Sequence, residues 1–172
     1  MTSTTDRLPS ARIVSHEVGS HGLTLRLERG LLSLAPVTSH TLRIRYTLAD
    51  RLSEQASLTV MNDLEDREPV PFNVGELDSS LVLSTDALSV EIDRETAACP
   101  DRDAAGRILT KEPNQGGRTL EPTDVEVSVF EDATAAVSDK HIDGLRMELA
   151  GVRQVVDRQA YHTKVEFEWA DG

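Results

Sequence analysis

The chain carries 30 Asp and Glu residues against 18 Lys and Arg, so carboxylate chemistry is the first possibility to weigh. Its densest acid clusters are Glu65-Asp66, Asp101 with Asp103, and Glu131-Asp132. Two carboxyl groups held ~5 Å apart across a bond can act as nucleophile and acid/base in a double displacement. Such a pair needs an apolar setting that lifts one pKa and leaves the other low. None of the three clusters lies at an apolar strand end. Each reads as solvated loop charge.

The other reactive residues are equally sparse. His141-Ile142-Asp143 could bring two ligand atoms together, with His162 as a distant third, but zinc sites show tighter paired spacings. His16, His21 and His40 stand alone. Cys99 is the only cysteine and has no neighbouring histidine, so it reads as an incidental loop thiol. No serine occupies a Gly-x-Ser-x-Gly elbow. Gly116-Gly117-Arg118 lacks the Gly-Lys-Ser/Thr ending of a phosphate loop and no helix follows it. Among the aromatic residues, Tyr46, Phe167 and Trp169 fall on apolar strand faces and read as core, which leaves Phe72, Phe130 and Tyr161 as candidates for a sugar-stacking platform.

The elements that would position these residues are strands. Leu23, Leu25 and Leu27 alternate with Thr24, Arg26 and Glu28; Leu42, Ile44 and Tyr46 alternate with Thr41, Arg43 and Arg45. The same period of two recurs at Leu88, Val90 and Ile92, at Val125, Val127 and Val129, and at Leu145, Met147 and Leu149. A closing run, residues 162–169, sets Val165, Phe167 and Trp169 against Lys164, Glu166 and Glu168. Shorter strand candidates lie at 57–61, 81–83 and 107–109. One apolar and one charged face per strand is the signature of antiparallel sheets packed on one side. Residues 50–56 and 133–140 could form short helices but carry no sustained apolar stripe. Residues 1–10 read as a flexible N-terminus, and 94–106 and 110–123 as loops. The pattern predicts an all-β antiparallel sandwich, one domain over 11–172, with Leu25, Leu42, Ile44, Val90, Val127, Leu149 and Phe167 in its core.

Composition sets outer limits. A length of 172 residues suits one domain with its own core and is too short for a (β/α)8 barrel, which typically needs ~250. A net charge of -12 argues against nucleic acid and against an anionic membrane surface as partners, whereas neutral sugars are compatible with it. A single cysteine allows no intramolecular disulfide, and neither a basic-apolar leader nor a long apolar span is present, so the expected location is cytoplasmic.

Several motifs, in order, resemble the N-terminal domain of glycoside hydrolase family 31, the α-glucosidase and α-xylosidase family. They are His40-Thr41-Leu42-Arg43-Ile44-Arg45-Tyr46, the paired runs Leu81-Val82-Leu83-Ser84-Thr85 and Leu88-Ser89-Val90-Glu91-Ile92, and then Gly106-Arg107-Ile108-Leu109. Gly117-Arg118-Thr119-Leu120, the run from Gly151 to Arg158 and the closing Tyr161 to Trp169 complete the series. The resemblance implies a galactose-mutarotase-like β-sandwich that packs against a catalytic barrel. In that family both catalytic aspartates belong to the barrel, and the Tyr-Gly-Leu-Gly-type segment after the closing strand is absent here.

No catalytic, cofactor-binding or metal-ligating role is therefore assigned to any residue. Two readings follow. One is the N-terminal domain of a retaining α-glycosidase, whose partner is the barrel and whose ligand is an α-linked glycan. The other is a free-standing module that binds a carbohydrate or a protein.

Overall fold

The computed structural model describes residues 11–54, 68–114, 117–130 and 152–169. Among the described residues every regular element is a strand, and every strand pairing is antiparallel. The chain divides into two compact units, residues 1–119 with 164–172 and residues 120–163.

In the first unit, β1 (Ile13–Gly19), β2 (Gly22–Leu27), β3 (Leu31–Thr38) and β4 (Thr41–Thr47) form a four-stranded meander in that order. Register places Leu23 opposite Leu34, Leu25 opposite Leu32, and Ile44 and Tyr46 opposite Leu34 and Leu32, so one face of the sheet is almost wholly aliphatic. The second sheet runs β12 (Glu168–Trp169), β9 (Ile108–Lys111), β8 (Asp101–Asp103), β7 (Leu88–Asp93), β6 (Ser80–Ser84), β5 (Asn73–Glu76). The two sheets share one core. Leu23, Leu25, Leu27, Leu32 and Leu34 meet Leu81, Leu83, Val90 and Ile92 there. Each such side chain contributes about 1.5–3 kcal/mol of burial. Polar ties join the two layers as well. The Thr85 hydroxyl donates to the Ser39 carbonyl (2.7 Å), and the Ile13 amide to the Arg94 carbonyl (2.8 Å).

The described part of the second unit is a ribbon made by β10 (Arg118–Phe130) and β11 (Val152–Val165), whose ends lie in the first unit. The Gln154 side-chain amide donates to the Ser128 hydroxyl across it (2.9 Å).

The all-β antiparallel sandwich is thus what the alternation predicted, and Leu25 and Val90 are buried as expected. Leu42 and Tyr46 pack half-buried against the core. Four expected core residues do not reach it. Ile44 is 37% exposed on the outer strand of the meander. Val127 is 41% exposed, because the described part of its unit is a ribbon with no second layer of its own. Phe167 is 51% exposed and Trp169 73%, because the closing run is not one strand. β11 ends at Val165, and β12 resumes at Glu168 with a single neighbour, β9. Leu149 lies outside the described residues, as do the candidate strand at 57–61, the candidate helix at 133–140 and the N-terminus at 1–10. Two expected loops hold strands instead. β8 lies within 94–106, and β10 begins within 110–123.

Candidate functional site

The densest buried polar chemistry gathers at the β8–β9 end of the six-stranded sheet. It begins at the turn that follows β7. Asp93 Oδ1 accepts the backbone amides of Glu95 (2.9 Å) and Thr96 (2.8 Å) and the Thr96 hydroxyl (2.9 Å), a side-chain capped turn of the kind aspartate favours. The turn leaves Ala97 in the left-handed region at φ 52, unusual for a residue with a Cβ. It then delivers Ala97, Ala98 and Cys99 into the core.

Two charged side chains hold this segment. Glu112, just past β9, accepts the Cys99 backbone amide through Oε2 (3.0 Å). Arg118, the first residue of β10, donates through Nη2 to the Ala97 carbonyl (2.6 Å) and approaches Cys99 Sγ (3.6 Å). Arg118 Nη1 lies 3.0 Å from Glu112 Oε1, with side-chain exposures of 13% and 10%. The Nη1 hydrogens do not point along that contact, so it is an ion pair without hydrogen-bond geometry. Beside it, the Thr110 hydroxyl donates to Asp101 Oδ2 (2.7 Å), while Asp101 Oδ1 is buried with no hydrogen-bond partner.

Burial dominates the electrostatics here. It pushes the Cys99 thiol up to about 11, although Arg118 pulls the other way. It also raises Glu112 and Asp101 above the ordinary carboxylate range, against Arg118 and against the hydrogen bonds from the Cys99 amide and the Thr110 hydroxyl. Tyr46 is raised for the same reason, opposed by Arg118 and Arg29. A thiol at about 11 is protonated at neutral pH and is a poor nucleophile. Glu112 is committed to Arg118 and to a backbone amide. The arrangement is built to hold chain segments together.

The residues weighed from sequence separate accordingly. Asp101 and Asp103 share a strand but not a role. Asp103 takes the Arg107 guanidinium (Nε, 2.8 Å) and backbone amides, and these lower its pKa. Cys99 lies in the loop between β7 and β8, as expected, but its thiol is buried in the core. Gly117 is buried, and a Cβ there would collide with the Glu166 carbonyl oxygen and the Glu112 side chain, so the glycine serves close packing rather than phosphate binding. His16 sits half-buried, 3.5 Å from Glu76. His162 is exposed on β11. Of the platform candidates, Phe72 packs against the core and Tyr161 is exposed on β11; Phe130 ends β10. Glu65-Asp66, Glu131-Asp132, His141 and Asp143 lie outside the described residues. Among the described residues no three His, Cys, Asp or Glu side chains converge in a metal-binding arrangement.

Sequence reasoning missed both notable groups. Glu112 and Arg118 lie in a stretch read as a loop, and only the spacing of an acid and an arginine around Asn114 to Gly117 hinted at a closed turn. Alternation assigns Phe167 and Trp169 to the core, yet they form an exposed edge-to-face pair with centroids 5.5 Å apart. Alternation shows that a strand has an apolar face. It does not show whether anything covers that face.

No protein-family model matches the chain, and no curated protein sequence matches it. Solved structures do. The chain is similar to the GH31 α-xylosidase from Xanthomonas citri, with a TM-score of 0.50 and 21% identity over 61% of this chain and 11% of that one. It is equally similar to an uncharacterised protein from Listeria monocytogenes crystallised with α-D-glucose, β-D-glucose, magnesium and calcium, with a TM-score of 0.50 and 18% identity over 61% of this chain and 9% of that one. At these identities the likeness establishes a shared fold. The chain spans about a tenth of each of those proteins. That agrees with the resemblance read from the motifs.

Proposed function

We propose that the chain is a non-catalytic β-sandwich domain of a retaining α-glycosidase of the α-glucosidase or α-xylosidase type. In this reading it stands N-terminal to a catalytic barrel, packs against that barrel and helps to shape the rim of its active site. The observation that carries the reading is the fold likeness to a GH31 α-xylosidase of which this chain would make up about a tenth. The buried polar cluster supports it, because its acids and thiol are committed to holding segments together. Aryl α-glucosides and α-xylosides incubated with the 172-residue chain should show no turnover. Hydrolysis that disappears on replacing an acid of this chain would overturn the reading. Reading the DNA beyond codon 172 tests the other half, with an in-frame barrel expected.

One observation favours the second reading, a free-standing carbohydrate-binding module. The exposed Phe167–Trp169 pair has the ring surface on which sugars stack. Trp169 is the only tryptophan, so its fluorescence reports directly on that surface. A saturable change on titrating α-linked gluco-oligosaccharides, lost in Phe167→Ala, would support the module. An unchanged spectrum supports the domain of a larger enzyme.

A further inference from the structure

We propose that Glu112 and Arg118 form a buried clasp whose local opening, rather than unfolding of the whole sandwich, governs access to residues 97–99. The inference goes beyond the glycosidase reading and does not depend on it.

Four stretches of chain meet at the clasp. The turn after β7 offers the Ala97 carbonyl and the Cys99 amide, the end of β9 offers Glu112, and the start of β10 offers Arg118. The fourth is the returning chain, where the Glu166 amide donates to the Gly117 carbonyl (2.7 Å) before β12 pairs with β9. Gly117 is pinched between the Glu166 backbone and the Glu112 side chain, so neither chain leg can shift without the other. The clasp also holds a strained point, because Ala97 keeps its left-handed backbone while its carbonyl accepts from Arg118 and its amide donates to the Asp93 carbonyl (2.9 Å).

Two features make the opening local. The strands here are the weakest of the sheet. β12 makes two residue pairings with β9, and β9 meets β8 across a register shift. The large aliphatic side chains of the core lie instead in β2, β3, β6 and β7, and only the small side chains of Ala97 and Cys99 reach that core from the clasp segment. Regions with few buried apolar contacts open first, at a cost below that of global unfolding. Losing either member also strands its partner as a buried, uncompensated charge, which favours opening to water over staying closed. Around the pair stand Cys99 and Asp101 from the sheet and Tyr46 from the facing layer.

Cys99 serves as a built-in reporter, being the only cysteine and fully buried. Alkylation of the full chain by N-ethylmaleimide, followed by mass spectrometry at one pH and in rising urea below the unfolding transition, reads the opening. In the unsubstituted chain the labelling rate should rise with urea along a slope well below that of global unfolding followed by far-UV circular dichroism. Arg118→Met should speed labelling roughly ten- to a hundredfold, the scale of lost charge-assisted hydrogen bonds. Arg118→Lys, which keeps the charge but not the two-pronged reach, should fall between. Removing Arg118 would by itself raise the thiol pKa and slow alkylation, so faster labelling reports opening, and a urea slope that stays below the global one assigns it to the clasp. Labelling that follows the global unfolding slope, or that is unchanged in Arg118→Met, overturns the clasp. Should Arg118→Met fail to fold, the urea slope of the unsubstituted chain decides alone.

Discussion

Glu112 is paired with Arg118 while Asp101 feels only the field of that guanidinium, and the imbalance has a pH signature. Burial lifts both carboxyl groups above their ordinary values, and Asp101 also keeps one oxygen buried without a partner. A carboxyl whose folded pKa exceeds its unfolded one holds its proton more tightly in the folded state. Its favourable contribution is complete below the ordinary carboxylate range and is lost as pH rises through the raised folded value. Asp103 behaves in the opposite way. The amide and guanidinium of Arg107 hold its pKa down, so its contribution is present above the ordinary range and is lost as pH falls through the lowered value. Replacing Asp101 by Asn removes its share of the first dependence, leaves that of Glu112, and keeps an oxygen to accept from Thr110. The urea midpoint of Asp101→Asn should exceed that of the unsubstituted chain at neutral pH and converge with it as acid protonates Asp101. A midpoint that is lower at neutral pH would show that the ionised carboxylate stabilises the fold.

Strand β3 shows which elements a sequence announces and which it hides. Leu31, Leu32, Ser33, Leu34, Ala35 and Pro36 are all buried, so the strand carries no alternation. β1 is masked differently, by a register shift between Ile13 and Ser15 that leaves Val14 exposed. Strands with one covered face, β2, β6 and β7, were legible because burial alternates along them. The clasp was not legible, because Glu112 and Arg118 belong together only after β9 and β10 have been folded past each other. Turn chemistry is also carried by single residues. Gly30 adopts φ 92 where its carbonyl accepts the Leu27 amide (3.0 Å), and a Cβ there would collide with the Thr47 carbonyl oxygen of β4. Gly75, on the outer strand β5, would meet nothing within 4 Å. Gly30→Ala should therefore cost well over ~1 kcal/mol, whereas Gly75→Ala should be neutral or slightly stabilising. Equal urea midpoints for the two variants would contradict the tight packing of β4 on that turn.

The two edges of the six-stranded sheet differ, and the difference sets how whole molecules meet. At β5 the edge is blunted by charge, with Glu76 bound by Arg94 (2.9 Å) and facing His16. At β12 the edge is apolar. Trp169 and Phe167 are largely exposed there, and the Lys111–Glu168 pair (3.0 Å) is the charged contact of that pairing. Unpaired backbone beside exposed rings is a template for a second chain. Opposing it is the net charge of -12, which repels copies over a range set by salt. The screening length is ~30 Å at 0.01 M ionic strength and ~8 Å at physiological strength. Repulsion therefore governs at low salt, and short-range ring contact takes over as the charge is screened. Light scattering should find a monomer at low salt and growing association as salt rises, with Trp169→Ala shifting the onset to higher salt. A monomer under both conditions would mean that the rings at β12 are too few to hold two copies together. That result would favour the free-standing module over a domain whose apolar edge another part of a larger enzyme covers.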